Sequence, residues 1–389
     1  MEQRTQTTKI GAGLANGADA AGAGIEAGRE ALAGVGARVD LAFCFVSADH
    51  GDEAEAVAAA VRGELEPMHL LGCVAQGVVA RDRELQEGPG VAVWAASLPG
   101  AEVVPFHARG IHTGGGIGIA GFPELDQPDL VALLVDPYTF PASGFLERLN
   151  GDLPGLPLVG GIAAGGGGPG TQALLLDGEV HREGAVGVAV SGVPVATVVS
   201  QGCAPIGREA VITRSEGNVV HELAGQPALS WVRAQLEALP PRQQLLAVRG
   251  LLAGIVIDEN KAEYGRGDFL MRGLLGVDEE EGTIAVGDQV RVGQTLRLHV
   301  RDAASAGEDL HAALEHAAGA GRPAGALLFT CNGRGTHMFP EPDHDARAVA
   351  ATLGTPATAG FFCGGEIGPV GGRAFLHGFT ATLAVFFED

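Results

Sequence analysis

Three times along the chain, a short run of continuous apolar residues gives way to a polar loop and then to an amphipathic stretch. A second apolar run follows and ends in two glycines five residues apart. The first copy reads "LAFCFV", then "SADHGD", then a stretch carrying Val57, Val61 and Leu65, then "HLLGCVAQGVV" with Gly72 and Gly77. The second has "LVALLV", "DPYTFPAS" and "LPLVGGIAAGGG", with Gly160 and Gly165; the third has "ALLFTC", "NGRGTHMFPEP" and "TAGFFCGGEIGP", with Gly360 and Gly365. A continuous apolar run bounded by turn signals is the pattern of a strand buried on both faces, and apolar residues four apart mark one face of a helix. Pro67, Pro157 and Pro356 stand at or just past the end of each helical stretch, where proline stops a helix. Each copy closes on one more strand-like run: "GVAVWAASL", "AVGVAVSGV" and "HGFTATLAVFF". Repetition at this scale predicts duplicated α/β modules, a mixed α+β fold of mixed sheets flanked by helices, arranged in two halves.

Outside the repeats the pattern changes. Ile10, Leu14, Ile25 and Leu32 fall near one helical face, so residues 1–34 read as an N-terminal helical segment. Between the second and third copies, "REAVITRSEGNVVHEL" alternates as a hairpin does. "ALSWVRAQLEAL" and "PPRQQLLAVRG" read as helices, and "GTIAVGDQVRVGQTLRLHV" as strands joined by turns at Gly287–Asp288 and Gly293–Gln294. A helix follows through "EDLHAALEHAA", with Glu308 and Asp309 suited to a first turn. The expected division is a first domain over 35–215 and a second over 216–389.

Composition narrows the function. Glycine, at 62 of 389 residues, is about twice its usual share near 7%. The net charge of −22 repels phosphate backbones and anionic lipids, so neither a nucleic-acid nor a membrane partner is expected. The five cysteines, Cys44, Cys73, Cys203, Cys331 and Cys363, are odd in number and widely spaced. They read as reduced thiols of a cytoplasmic protein. The N-terminus lacks the build of a signal peptide.

Most motif matches fail on context. "GIGIAG" at Gly116–Gly121 fits a dinucleotide fingerprint, but no strand feeds it and no adequate helix follows. The glycine pairs of the repeat are not Walker loops, since Val78, Gly166 and Glu366 stand where lysine would hold phosphate. With no C-x-x-C and no H-E-x-x-H, no metal or other cofactor is expected. "DHD" at Asp343–Asp345 reads as a helix cap.

The charges that stand out are Arg334 and Glu366, each in a glycine-flanked loop of the third copy. If the strands before them are neighbours, the loops converge. The two residues would then either pair with each other or hold opposite ends of a small polar ligand, arginine taking a carboxylate and glutamate an amine. The candidate site comprises Cys331, Asn332, Gly333, Arg334, Phe362, Cys363, Gly364, Gly365 and Glu366, with His377. A different class is also open: a hydrolase or transferase using Cys331 or Cys363 as nucleophile, with His337 or His377 as base.

"LLFTCNGRG", "TAGFFCGGEIGPV" and "FLHGFTATLAVF" resemble the C-terminal half of FIST domain proteins, and "RGLLGVDEEEGTIAVGDQVRVGQTLRLHVRDA" resembles the segment before it. "LAFCFVSADH", "LLGCVAQGVV", "LPLVGGIAAGG" and "PIGREAVITRSEGNVVHELAGQPAL" are similar to the N-terminal half. The resemblance covers roughly residues 35–388. It implies a small-ligand-binding sensory domain, with amino acids among the proposed ligands. It also implies an unidentified protein partner to carry the signal, since no kinase, methyl-accepting or F-box module accompanies the domain here. Some relatives of this type are haem-based gas sensors, which leaves haem as a further alternative, but no ligand motif singles out a histidine or cysteine for it.

Overall fold

The computed structural model describes residues 7–36, 38–114, 116–265, 267–355 and 357–388. Pro356, read above as a helix stop, lies outside them. In chain order, the first repeat and its lead-in hold β1 (Lys9–Asn16), α1 (Ala20–Val35), β2 (Leu41–Ser47), α2 (Ala54–Leu65), β3 (His69–Ala75), β4 (Val78–Ala80), β5 (Arg83–Leu85) and β6 (Gly90–Ser97). The second holds β7 (Glu102–Thr113), β8 (Gly116–Ala120), β9 (Leu130–Val135), α3 (Ala142–Asp152), β10 (Leu158–Ile162), β11 (Leu174–Leu176), β12 (Glu179–His181) and β13 (Ala185–Ser191), followed by β14 (Val195–Gln201). The intervening region holds β15 (Cys203–Glu216), β16 (Val219–Leu223), β17 (Gln226–Pro227), α4 (Ala228–Glu237), α5 (Pro241–Arg249), β18 (Leu251–Val256), β19 (Phe269–Asp278), β20 (Thr283–Val286), β21 (Thr295–Arg301) and α6 (Ala303–Ala318). The third repeat holds β22 (Pro323–Cys331), α7 (His344–Leu353), β23 (Thr358–Cys363), β24 (Glu366–Val370), β25 (Arg373–His377) and β26 (Thr380–Phe387).

The chain forms two compact units. One takes the chain up to Val199, Leu310–Leu376 and Thr380 onward; the other takes Ser200–Asp309 with His377–Phe379.

In the first unit the three repeats are built alike. Their two apolar runs pair in parallel, β2 with β3, β9 with β10 and β22 with β23. The closing strands β6, β13 and β26 lie antiparallel on the other side of β2, β9 and β22. The first glycine of each pair serves this approach. Gly72 lies opposite Cys44, Gly160 opposite Leu133 and Gly360 opposite Leu328. A Cβ at these glycines would come within 1.9, 1.9 and 1.6 Å of those residues' carbonyl oxygens, so no side chain is tolerated there.

Past the second glycine the chain leaves its own sheet. The hairpin β4–β5 of the first repeat joins β23 of the third, β11–β12 of the second joins β3 of the first, and β24–β25 of the third joins β10 of the second. The sheets are therefore β1-β6-β2-β3-β11-β12, β8-β7-β13-β9-β10-β24-β25 and β14-β26-β22-β23-β4-β5. Each repeat lends a hairpin to one neighbour and borrows one from the other.

Because successive strand residues face opposite ways, each central strand feeds two cores. Phe43, Phe45, Ala132, Leu134, Leu327 and Phe329 share one apolar cluster drawn from all three sheets. The residues between them pack against helices: Cys44 and Val46 with α1 and α2, Val131 and Leu133 with α3, Leu328 with α7.

The second unit is a barrel. β15 pairs with both β21 and β16, so the antiparallel order β15-β21-β18-β19-β20-β16 closes on itself, with β17 added beside β16. Closure leaves those six strands without a free edge.

The expected helices α4, α5 and α6 and the hairpin β15–β16 are present, but some details differ. Residues 9–16 are not helical: they form β1, because a glycine-rich sequence of low helix propensity is held extended by pairing with β6. Between Gly287 and Gln294 no strand forms, and β20 and β21 pair with other strands instead of each other. α6 starts at Ala303, so Glu308 and Asp309 fall in its second turn. Asp302 sits at its start instead, accepting hydrogen bonds from Ser305 N–H and Oγ. Among the described residues no helix is long and apolar enough to cross a membrane.

Candidate functional site

Cys331 and Cys363 end β22 and β23 and stand opposite each other in the parallel register, so the loops that follow them begin side by side. Asn332 N–H donates to Cys363 O at 2.9 Å, and Arg334 N–H to Cys331 O at 2.9 Å. Gly333 N–H points to Cys331 Sγ at 3.4 Å. On the other side, Phe362 N–H donates to Gly77 O, Gly364 N–H to Ile162 O, and Gly365 O accepts from Ile162 N–H. The "FFCGGE" run is thus the crossing point between the third sheet and the second, and Glu366 opens the exchanged strand β24 opposite Gly161.

Arg334 is fully buried. Its partner is Asp345, not Glu366: Nε donates to Oδ2 at 2.7 Å and Nη2 to Oδ1 at 2.8 Å. Thr330 Oγ1 donates to the same carboxylate at 2.8 Å, and His344 Nδ1 lies 2.9 Å from it. The His344 ring stacks on Phe339, which the guanidinium also faces, 5.2 Å from the ring centre. Burial disfavours both charges, but each partner overcomes it for the other. Asp345 is held well below the usual carboxylate range and Arg334 above its ordinary value. Asp345 takes the Nε–Nη2 edge of the fork, and the outer edge, which carries Nη1, is the part of Arg334 left to face anything else.

Glu366 is buried and close enough to Arg334 for each to act on the other's charge. Thr380 donates to its Oε2 through N–H at 3.1 Å and Oγ1 at 2.9 Å, and Cys331 hydrogen-bonds the same carboxyl. Burial nevertheless pushes the acid up to about 8, so it is mostly protonated at neutral pH. Among the described residues, three buried polar atoms in these loops have no hydrogen-bond partner: Arg334 Nη1, Glu366 Oε1 and Asn332 Oδ1. His377 is buried at the end of β25 and groups with the second unit. Burial raises the Cys363 thiol well above its ordinary value, opposite to what a nucleophile needs. Among the described residues no cluster of three or more histidine, cysteine or acidic side chains has a metal-binding arrangement.

Sequence reasoning missed the residues that hold this site in place. Asp345 was visible only as part of a cap. Asp343 does occupy the position before α7, in the left-handed region at φ 62° with no capping hydrogen bond from its side chain. The capping carboxylate is Glu84, brought in by the exchanged hairpin, whose Oε1 accepts from Asp345 N–H and Ala346 N–H. No pattern within the third repeat could have pointed to a residue some 260 positions away.

The model of the FIST N domain matches residues 40–226 and that of the FIST C domain residues 228–369. An uncharacterized protein of Mycobacterium tuberculosis (strain H37Rv) is 47% identical over 386 residues, 98% of this chain and 100% of that protein. An uncharacterized protein of Mycobacterium bovis is 44% identical over 387 residues, 98% of this chain and 99% of its own length.

Proposed function

The chain belongs to the FIST family, whose domains are recognised as sensory domains, and from that premise we propose that it senses a small polar metabolite bound by Arg334, Glu366 and Asn332. The observation that carries this reading is the trio of buried polar atoms without protein partners, one donor on a permanent cation, one acceptor and one titratable carboxyl. Buried polar groups are rarely left unmatched. A ligand offering an acceptor to Arg334 Nη1 and a donor to Asn332 Oδ1 would match them together. An amino acid has both groups: one carboxylate oxygen for Nη1, and an ammonium for Asn332. Because Arg334 is already neutralised by Asp345 and Glu366 is mostly protonated, the surroundings favour a ligand without net charge, as a zwitterion is. The occupied state would be read by a protein partner.

The test is thermal unfolding of the wild type and of Asn332→Ala, which removes the acceptor offered to the ammonium, with each of the twenty amino acids at millimolar concentration. A ligand at a hundred times its Kd stabilises by about 2.7 kcal/mol. The wild type should gain melting temperature with one or a few of them, and the variant should gain less. No response to any of them removes amino acids as the ligand class. An equal response in both proteins places the ligand elsewhere.

A further inference from the structure

The loop that carries the Arg334–Asp345 pair is tied down from outside its own repeat. Besides capping α7 through Oε1, at 2.8 Å from Asp345 N and 3.1 Å from Ala346 N, Glu84 donates its own N–H to Asp343 Oδ1 at 2.8 Å. Two residues on, Gln86 Oε1 accepts from Thr336 N–H at 2.8 Å. Residues 335–346 are thus a strap fastened near both ends to residues 84–86. Oε2 of Glu84 is buried and has no hydrogen-bond partner among the described residues.

The charges around Glu84 are unevenly matched. From α7 it meets Asp343, which pairs with Arg347, and Asp345, which pairs with Arg334 and His344. From α1 comes Glu30, paired with Arg81, and Asp82 and Arg83 of its own hairpin line the same 240 Å³ cavity. No cation among the described residues forms an ion pair with Glu84 itself. It is the third carboxylate at a helix start whose other two are already matched. The dipole of α7 and the two N–H groups favour its charge; burial and its acidic neighbours oppose it.

We propose that Glu84 is a proton-dependent latch on the 335–346 strap, which holds Arg334 and Asp345 in place when the carboxyl carries its proton and loosens when the proton leaves. Burial first, and Asp345 next, push this acid up to about 7 from an ordinary 4.5. The closed strap therefore binds a proton that the open strap releases. Its contribution to closure is complete below about 4.5 and is lost as pH rises through about 7. The inference goes beyond the sensory reading, because it requires no ligand.

Hydrogen–deuterium exchange of the unliganded protein between pH 5.5 and 8 tests it, with rates corrected for the intrinsic pH dependence of exchange. Protection of the Asp345 and Ala346 amides should fall roughly tenfold or more over that range, while amides of β2 and β3 do not change in step. In Glu84→Gln, which keeps the accepting oxygen, the fall should disappear. In Glu366→Gln, which removes the other raised carboxyl, it should persist. A fall that survives in Glu84→Gln, or that vanishes in Glu366→Gln, overturns the proposal. Should Glu84→Gln fail to fold, the wild type still decides, because pH-independent protection of those two amides is incompatible with a titrating latch.

Discussion

Arg334 stands out in the sequence because glycines flank it on both sides. A lone arginine among glycines looks free to bind something. In the fold it is fully buried and held along its Nε–Nη2 edge by two hydrogen bonds to Asp345. The pair is costly to break because either partner alone would be an uncompensated buried charge. Arg334→Ala is expected to destabilise the protein by about 3–5 kcal/mol, measured by urea unfolding at pH 7. Replacing both members, Arg334→Met with Asp345→Leu, should recover most of that loss, since two apolar side chains leave no stranded charge. A single variant within about 1 kcal/mol of wild type would mean that water reaches the pair. For the same reason Arg334→Ala is a poor probe of ligand binding, and Asn332→Ala, which removes an oxygen without a protein partner, is the better one.

At the scale of elements, the repeat made the buried strands, their closing strands and the helices between them legible. Continuous apolar runs such as "LAFCFV" and "ALLFTC" are what double-faced burial demands, and these strands are indeed buried over those runs. The destination of the hairpins was not legible, because pairing of β4 with β23 links residues about 280 positions apart. Nothing local in "VVARDREL" encodes its partner. The strand at 9–16 was lost for a similar reason: its alanines and glycines carry no strong period, and β6 decides its conformation. The glycine pairs mark the repeat in the sequence, and the first of each is a packing requirement. Gly360→Ala would force a Cβ to 1.6 Å from the Leu328 carbonyl oxygen. The obstacle is backbone on two paired strands, so the loss should reach the upper end of the roughly 1–3 kcal/mol usual for overpacking, read as a drop in urea midpoint. The contrasting control is Gly144→Ala in α3, where a Cβ meets nothing within 4 Å; alanine's better helix propensity should make that change neutral or stabilising.

At the scale of the whole molecule, circular lending of hairpins makes the three repeats of the first unit interdependent. Sheet β1-β6-β2-β3-β11-β12 lies wholly before residue 199, which suggests on its face that this part could fold alone. The aromatic contacts argue otherwise. Phe45 packs on Phe361 with ring centres 5.2 Å apart, and Trp94 on Phe386 at 5.1 Å. Without the third repeat, these fully buried rings would face solvent. The hairpin β4–β5 would also lose β23, and an isolated two-stranded hairpin is marginal in water. Buried apolar area is the main favourable term in folding, and the common apolar cluster is shared among all three repeats. A fragment ending at residue 199 should therefore show no cooperative thermal transition and should bind a hydrophobic dye that the full chain excludes. A sharp, cooperative transition from that fragment would show that the repeats are autonomous, and that hairpin exchange joins finished domains instead of completing unfinished ones.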